Sequence, residues 1–102
     1  MEVVTATQSE DGQELVIHIN GRFDFGCHQA FRDGYERAAP RPSRYVIDLA
    51  KTTYLDSSAL GMLLLLRDHA GGDKAQIRLI NASQDVVKIL AISNFTQLFA
   101  IN

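Results

Sequence analysis

With 102 residues, 46% of them hydrophobic and 22% charged, the chain has the size and composition of one folded domain, 1–102, and lies far from the signature of a disordered segment. Ten basic against twelve acidic residues leave a formal charge of −2, and Lys and Arg form no stripe of the kind that binds a phosphate backbone, so no direct nucleic-acid partner is expected. No apolar run approaches the roughly 20 residues that span a bilayer, and "MEVVTATQSEDGQ" lacks the basic-then-apolar order of a signal peptide, so a cytoplasmic location without membrane insertion is expected.

Residues 2–8, "EVVTATQ", are rich in β-branched side chains, and 14–20, "ELVIHIN", alternate Leu15, Ile17 and Ile19 with Val16 and His18. With "SEDG" at 9–12 between them, the two runs predict a hairpin whose second strand ends at Gly21. "DFGCHQAFRDGYERAA" at 24–39 sets Phe31, Tyr35 and Ala38 at helical i, i+4, i+7 spacing, with Asp24 at its opening and "PRPS" at 40–43 closing it. "RYVIDLAK" at 44–51 is a short β-branched run of the kind found in the middle of a sheet, followed by a turn. Apolarity alone fits residues 57–70 to strand or helix; the length, the capping residues before the run and Gly71-Gly72 after it decide for helix. "AQIRLIN" at 75–81 alternates as a strand, "SQDVVKILAIS" at 83–93 is an amphipathic helix with a Ser cap, and "QLFAI" at 97–101 adds a last short strand. The order β-β-α-β-α-β-α-(β) requires an α/β fold with a mixed four- to five-stranded sheet and about three helices packed on it, because parallel neighbours need helical crossovers.

Chemistry has few places to reside. His18, His28 and His69 fall on a strand, a helix start and a helix end, without the HxxxH or HExxH spacing that gathers two onto one face, so no metal site is expected. Cys27, the sole cysteine, has no internal disulfide partner and reads as a small half-buried residue. Neither GxGxxG, GxxxxGK[ST] nor the GxSxG elbow occurs, and nothing encloses a substrate around Asp24 and Asp56, so neither a cofactor nor an enzyme activity is expected.

There remains "YLDSSALGMLLLL" at 54–66. Asp56 or Ser57 can accept from an N2 or N3 backbone N–H and cap the helix, a bond worth about 1 kcal/mol. The same helix start carries free N–H groups and a positive partial charge, so a phosphoryl group on Ser57 would sit there without strain. At 100° per residue Ala59, Leu60, Leu63 and Leu66 define one face, while Gly61, Leu65 and Asp68 point nearly the opposite way. Met62 and Leu65 then lie outside the main apolar stripe, and Arg67 falls on it, where it must snorkel out. A helix apolar most of the way round is either deeply buried or partly offered to a partner.

Four segments recur together in a known pattern: Ile19-Asn20-Gly21-Arg22-Phe23-Asp24, Val46-Ile47-Asp48-Leu49, Leu55-Asp56-Ser57-Ser58-Ala59-Leu60, and Asn81-Ala82-Ser83 running to Ile89-Leu90 with Phe95 and Phe99. In this order the chain resembles the STAS-domain family, the bacterial anti-sigma-factor antagonists in particular. The resemblance implies partner switching. The serine after the motif aspartate, here Ser57 with Ser58 as secondary candidate, would be phosphorylated by a kinase that is often also the anti-sigma factor, and be restored by a cognate phosphatase. The unmodified form would bind the anti-sigma factor and free the sigma factor, and Asp24 and Asp56 would flank the switch. Phe23, Ala59, Met62 and Leu65 are the expected partner contacts, against Leu60 and Leu63 for the core; a response-regulator-linked module is a further candidate partner. Two departures stand out: Ala59 replaces the commoner glycine, and the family's usual C-terminal helix is missing. The resemblance also admits an accessory subunit of a membrane transporter, where no serine need be modified; a nucleotide or small ligand at the Asp24–Asp56 end has little support.

Overall fold

Asp11-Gly12 turns the chain between the first two strands: Asp11 accepts from the Ser9 hydroxyl at 2.7 Å and from the Gln13 N–H at 3.0 Å, and Gly12 takes a positive φ of 75° that a side chain would resist. In the computed structural model, which describes residues 3–101, this turn joins β1 (Val4–Gln8) to β2 (Glu14–Ile19) in an antiparallel pair, with Val4 opposite Ile19. β4 (Arg44–Asp48) lies parallel to β2, β6 (Ile77–Ile80) parallel to β4, and β7 (Ala100–Ile101) parallel to β6, giving one mixed sheet in the order β1-β2-β4-β6-β7. The crossovers carry α1 (His28–Glu36), α2 (Ser57–His69) and α3 (Gln84–Ile92).

The alternation along β2 does what its pattern predicts. Leu15, Ile17 and Ile19 are buried in one hydrophobic cluster that takes Phe31 and Tyr35 from α1, Ala59, Met62, Leu63 and Leu66 from α2, and Val86 and Leu90 from α3. Val16 and His18, on the alternate side, stay outside that cluster and half-buried. Each large apolar side chain so enclosed contributes about 2 kcal/mol, which fixes the register of the strands and the rotation of each helix. Cys27 is buried rather than half-buried, its thiol donating to the Arg22 carbonyl at 3.2 Å.

Three boundaries differ from the sequence expectation. The chain does not stop pairing at Gly21: β3 (Gly21–Phe23) continues it and pairs in parallel with β5 (Thr52–Leu55) as a separate two-stranded sheet. The run at 44–51 is therefore cut at Asp48, which accepts from the Ala50 N–H at 3.0 Å to turn the chain into β5. Thr52, buried, ties the small sheet to the large one by donating to the Ile19 carbonyl at 2.8 Å. The helix expected over 24–39 divides into a 3-10 turn at Phe25–Cys27 and α1 proper. Arg67, placed by the helical wheel on the buried stripe, does reach outward, donating to Asp73 at 3.0 Å and to the Leu98 carbonyl.

Candidate functional site

The small sheet exists to aim two aspartates. Its parallel register sets Arg22 opposite Tyr54 and Phe23 opposite Leu55, so the next residue of each strand, Asp24 and Asp56, leaves the ribbon at the same end. Both keep extended backbone, with φ of −135° and −117°, and each caps the helical turn after it: Asp24 accepts from the Gly26 N–H at 2.9 Å, Asp56 from the Ala59 N–H at 3.0 Å. The sequence left the cap of α2 open between Asp56 and Ser57; it is Asp56.

That assignment separates the two serines. Ser58 donates its hydroxyl to Asp56 at 2.6 Å, so its oxygen is already held inside the cap. Ser57 is the first helical residue, exposed, and among the described residues its side chain has no hydrogen-bond partner. The Ser58 hydroxyl and then the Ala59 N–H hold the Asp56 carboxyl below the usual carboxylate range, because both bonds favour the ionised form. Beside it, the Arg22 guanidinium lies 4.5 Å from the centroid of the Tyr54 ring and 3.5 Å from Asp24.

Ser57, Gly61, Leu64, Leu65 and Asp68 form one exposed strip along α2. Leu64 and Leu65 are 41% and 55% exposed, while a methyl added at Gly61 would meet nothing within 4 Å. Leu65 also lines a groove of about 310 Å³ with Tyr35 and His69, between α1 and α2. Of the four side chains expected to meet a partner, Leu65 alone is exposed. Met62 is 4% exposed, and Phe23 and Ala59 are fully buried, so these three are core residues. Met62 lies one turn from Leu66 and points into the same cluster, whereas Leu60 sits at its margin; Phe23 packs on Phe31 with ring centroids 5.2 Å apart.

Three exposed side chains on this end and on the α2 strip escaped the sequence reading. Phe25, 70% exposed, stacks on His28; only its place just after a capping aspartate, where strand alternation has ended, marks it. Tyr54 stands outward under Arg22, and Leu64 was hidden in a run of four leucines. The histidines lie apart: His18 pairs with Asp48 at 3.2 Å, His28 is under Phe25, and His69 packs on Tyr35. Among the described residues no helix is long and apolar enough to cross a membrane.

The mixed sheet with three helices in its crossovers is the fold of a STAS domain. The family described as "Mlab, STAS domain" matches residues 6–100, and a STAS-domain containing protein of Pseudomonas aeruginosa (strain UCBPP-PA14) is 71% identical over 99 residues, covering 97% of this chain and 98% of that protein. The chain belongs to the STAS-domain family. Among solved structures it is similar to the anti-sigma factor antagonist SpoIIAA in its unphosphorylated form, with a TM-score of 0.75 at 16% identity over 97% of this chain and 86% of that one. The Bacillus cell fate determinant SpoIIAA in its phosphorylated form gives 0.72 at 16% over 97% and 90%. A sulfate transporter family protein from Wolinella succinogenes gives 0.74 at 16% over 89% and 73%.

Proposed function

We propose that this STAS domain is an anti-sigma-factor antagonist that works by partner switching. It is a binding module of the cytoplasm, and it regulates transcription indirectly through its grip on an anti-sigma factor that is also a serine kinase. The observation that carries the reading is Ser57: exposed, without a side-chain partner among the described residues, and at the head of the strip formed by Gly61, Leu64 and Leu65. Phosphorylation there adds about −1.5 to −2 charge beside an apolar contact surface and takes the chain from −2 to about −4. A penalty of about 3–4 kcal/mol on the bound state lowers affinity several hundredfold, enough to release a partner. A cognate phosphatase, or a response-regulator-linked module that contains one, resets the switch.

Intact mass analysis of the protein from its host, with binding assays on Ser57→Ala and Ser57→Asp, tests this. The Ala variant binds constitutively and the Asp variant weakly; equal binding by the two sinks the reading. The likeness to a sulfate transporter family protein favours a second reading, an accessory subunit of a membrane transporter complex, in which the α2 strip is a permanent contact. Stable co-purification with a transporter ATPase, with Ser57 unmodified, selects it.

A further inference from the structure

A phosphate on Ser57 meets a local charge problem that the helix start does not solve. Part of the cap is already taken, because Asp56 occupies the Ala59 N–H at 3.0 Å and the Ser58 hydroxyl at 2.6 Å. With Asp24 leaving the neighbouring strand at the same end, the new dianion joins two carboxylates. Like charges this close disfavour one another unless a cation stands among them.

One cation is parked there. Among the ion pairs of the described residues, Arg22–Asp24 is the one that involves either aspartate. Arg22 is opposite Tyr54 in the ribbon, and alternation puts Arg22, Asp24, Tyr54 and Asp56 on one side of it. From Tyr54 to Asp56 is two residues, about 7 Å of strand, with Ser57 next in line. The Arg22 side chain is 66% exposed and its contact with Asp24 is a loose 3.5 Å through Nε. An exposed pair of that kind is weak, and the face of Tyr54 at 4.5 Å adds a modest cation–π attraction. A phosphate dianion offers the guanidinium a two-pronged partner of higher charge than either.

Resting on the assignment of Ser57 as the switch, we infer that Arg22 is the receptor of the phosphoryl group: it is stored between Asp24 and Tyr54 in the unmodified domain and transfers to phosphorylated Ser57. Asp24 keeps the Gly26 N–H when the guanidinium leaves, so its capping turn survives. The Tyr54 ring is uncovered by the same movement. Modification therefore changes the surface at two points, adding charge at the head of α2 and baring an aromatic ring on β5. Arg22 acts as a positioning residue and takes no part in the transfer of phosphate.

The experiment uses the full chain with phosphoserine placed at position 57 during translation, in the parent, Arg22→Gln and Arg22→Lys backgrounds, with the phosphate titrated by phosphorus NMR. A neighbouring cation favours the dianion, so the second ionisation in the Gln variant falls about half a pH unit above that of the parent, with the Lys variant between. Equal titration in parent and Gln variant overturns the inference. A second readout needs no variant: the side-chain resonances of Arg22, shifted by the Tyr54 ring in the unmodified chain, move to ordinary positions when the phosphate is present. Unmoved resonances overturn it equally. Because the phosphate is installed directly, neither result depends on whether a kinase uses Ser57 in the cell, which phosphate-affinity gels of the native protein decide separately.

Discussion

Ser58 donates its hydroxyl to Asp56 at 2.6 Å, and this one bond divides two adjacent serines into a structural group and an available one. Replacing Ser58 by Ala removes the largest influence that holds the Asp56 carboxyl low. The expected outcome is an Asp56 that titrates closer to its ordinary 3.8, read from its carboxyl carbon by NMR across acid pH. The cap through the Ala59 N–H remains, so the thermal midpoint hardly changes, and the proposed phosphorylation at Ser57 is expected to persist. Loss of all phosphorylation in this variant would transfer the switch to Ser58.

Met62 and Leu65 lie three residues apart and have opposite duties. Met62→Ala leaves a cavity in the cluster shared with Leu63 and Leu66 and costs about 2–3 kcal/mol in urea unfolding. Leu65→Ala, at a position 55% exposed, stays within about 0.5 kcal/mol of the parent and, under the proposed function, instead weakens capture of the anti-sigma partner. Equal destabilisation by both would mean that the strip is covered within the domain.

That pair also shows where sequence reading reaches its end. The alternation of Leu15, Ile17 and Ile19, the Ser83 cap of α3, which accepts from Val86 N–H at 3.2 Å, and the order of the main strands were all legible, because each rests on local periodicity or capping. The rotation of α2 was not. From Ala59 to Leu66 only Gly61 interrupts an apolar run, so no polar residue marks the solvent side, and the wheel put Met62 outside when packing buries it and leaves Leu60 at the core's margin. β3 and β5 were missed for a different reason: runs of three and four residues carry too little alternation, and they are strands because they pair with each other across 31 positions of sequence, from Gly21 to Thr52.

Gly61 sits mid-helix, where glycine costs about 1 kcal/mol relative to alanine. Beyond its own helix turn, a methyl there meets no atom of the described residues within 4 Å, so no tertiary contact among them requires the glycine. Gly61→Ala should stabilise the isolated domain by about 0.5–1 kcal/mol in urea unfolding. If a partner approaches the α2 backbone between Ser57 and Leu65, the same methyl lowers affinity for it. Stabilisation together with unchanged partner binding would place the contact elsewhere on the strip.

Asp48 supplies an acid-side prediction. Burial pushes its carboxyl up, but the Ala50 N–H, the Asn81 amide and His18 outweigh that and leave it below its ordinary 3.8. A carboxyl lower in the folded than in the unfolded chain stabilises the fold above its unfolded value, and that contribution is lost as pH falls through the folded one. The domain therefore loses stability progressively below about pH 4. Asp48→Asn, measured by chemical unfolding at a series of acid pH values, gives a shallower decline over this range; an unchanged slope would show that other carboxylates govern it.

Tyr45, on β4 at the centre of the sheet, is 2% exposed, and among the described residues its hydroxyl oxygen is buried with no hydrogen-bond partner. Its ring belongs to the main hydrophobic cluster, so the aromatic body contributes to packing while its polar tip loses contact with water and gains no protein bond. An unsatisfied buried hydroxyl costs about 1–3 kcal/mol, whereas removing the oxygen alone preserves the ring and its neighbours. Tyr45→Phe should therefore raise stability by about 1 kcal/mol, or several degrees in the thermal midpoint of a domain this size. Tyr45→Leu provides the contrast, because it sacrifices aromatic packing as well as the hydroxyl, and it should destabilise. A Phe variant less stable than the parent would reveal that the hydroxyl is satisfied in solution, and high-resolution diffraction on the parent would then find a water bonded to it.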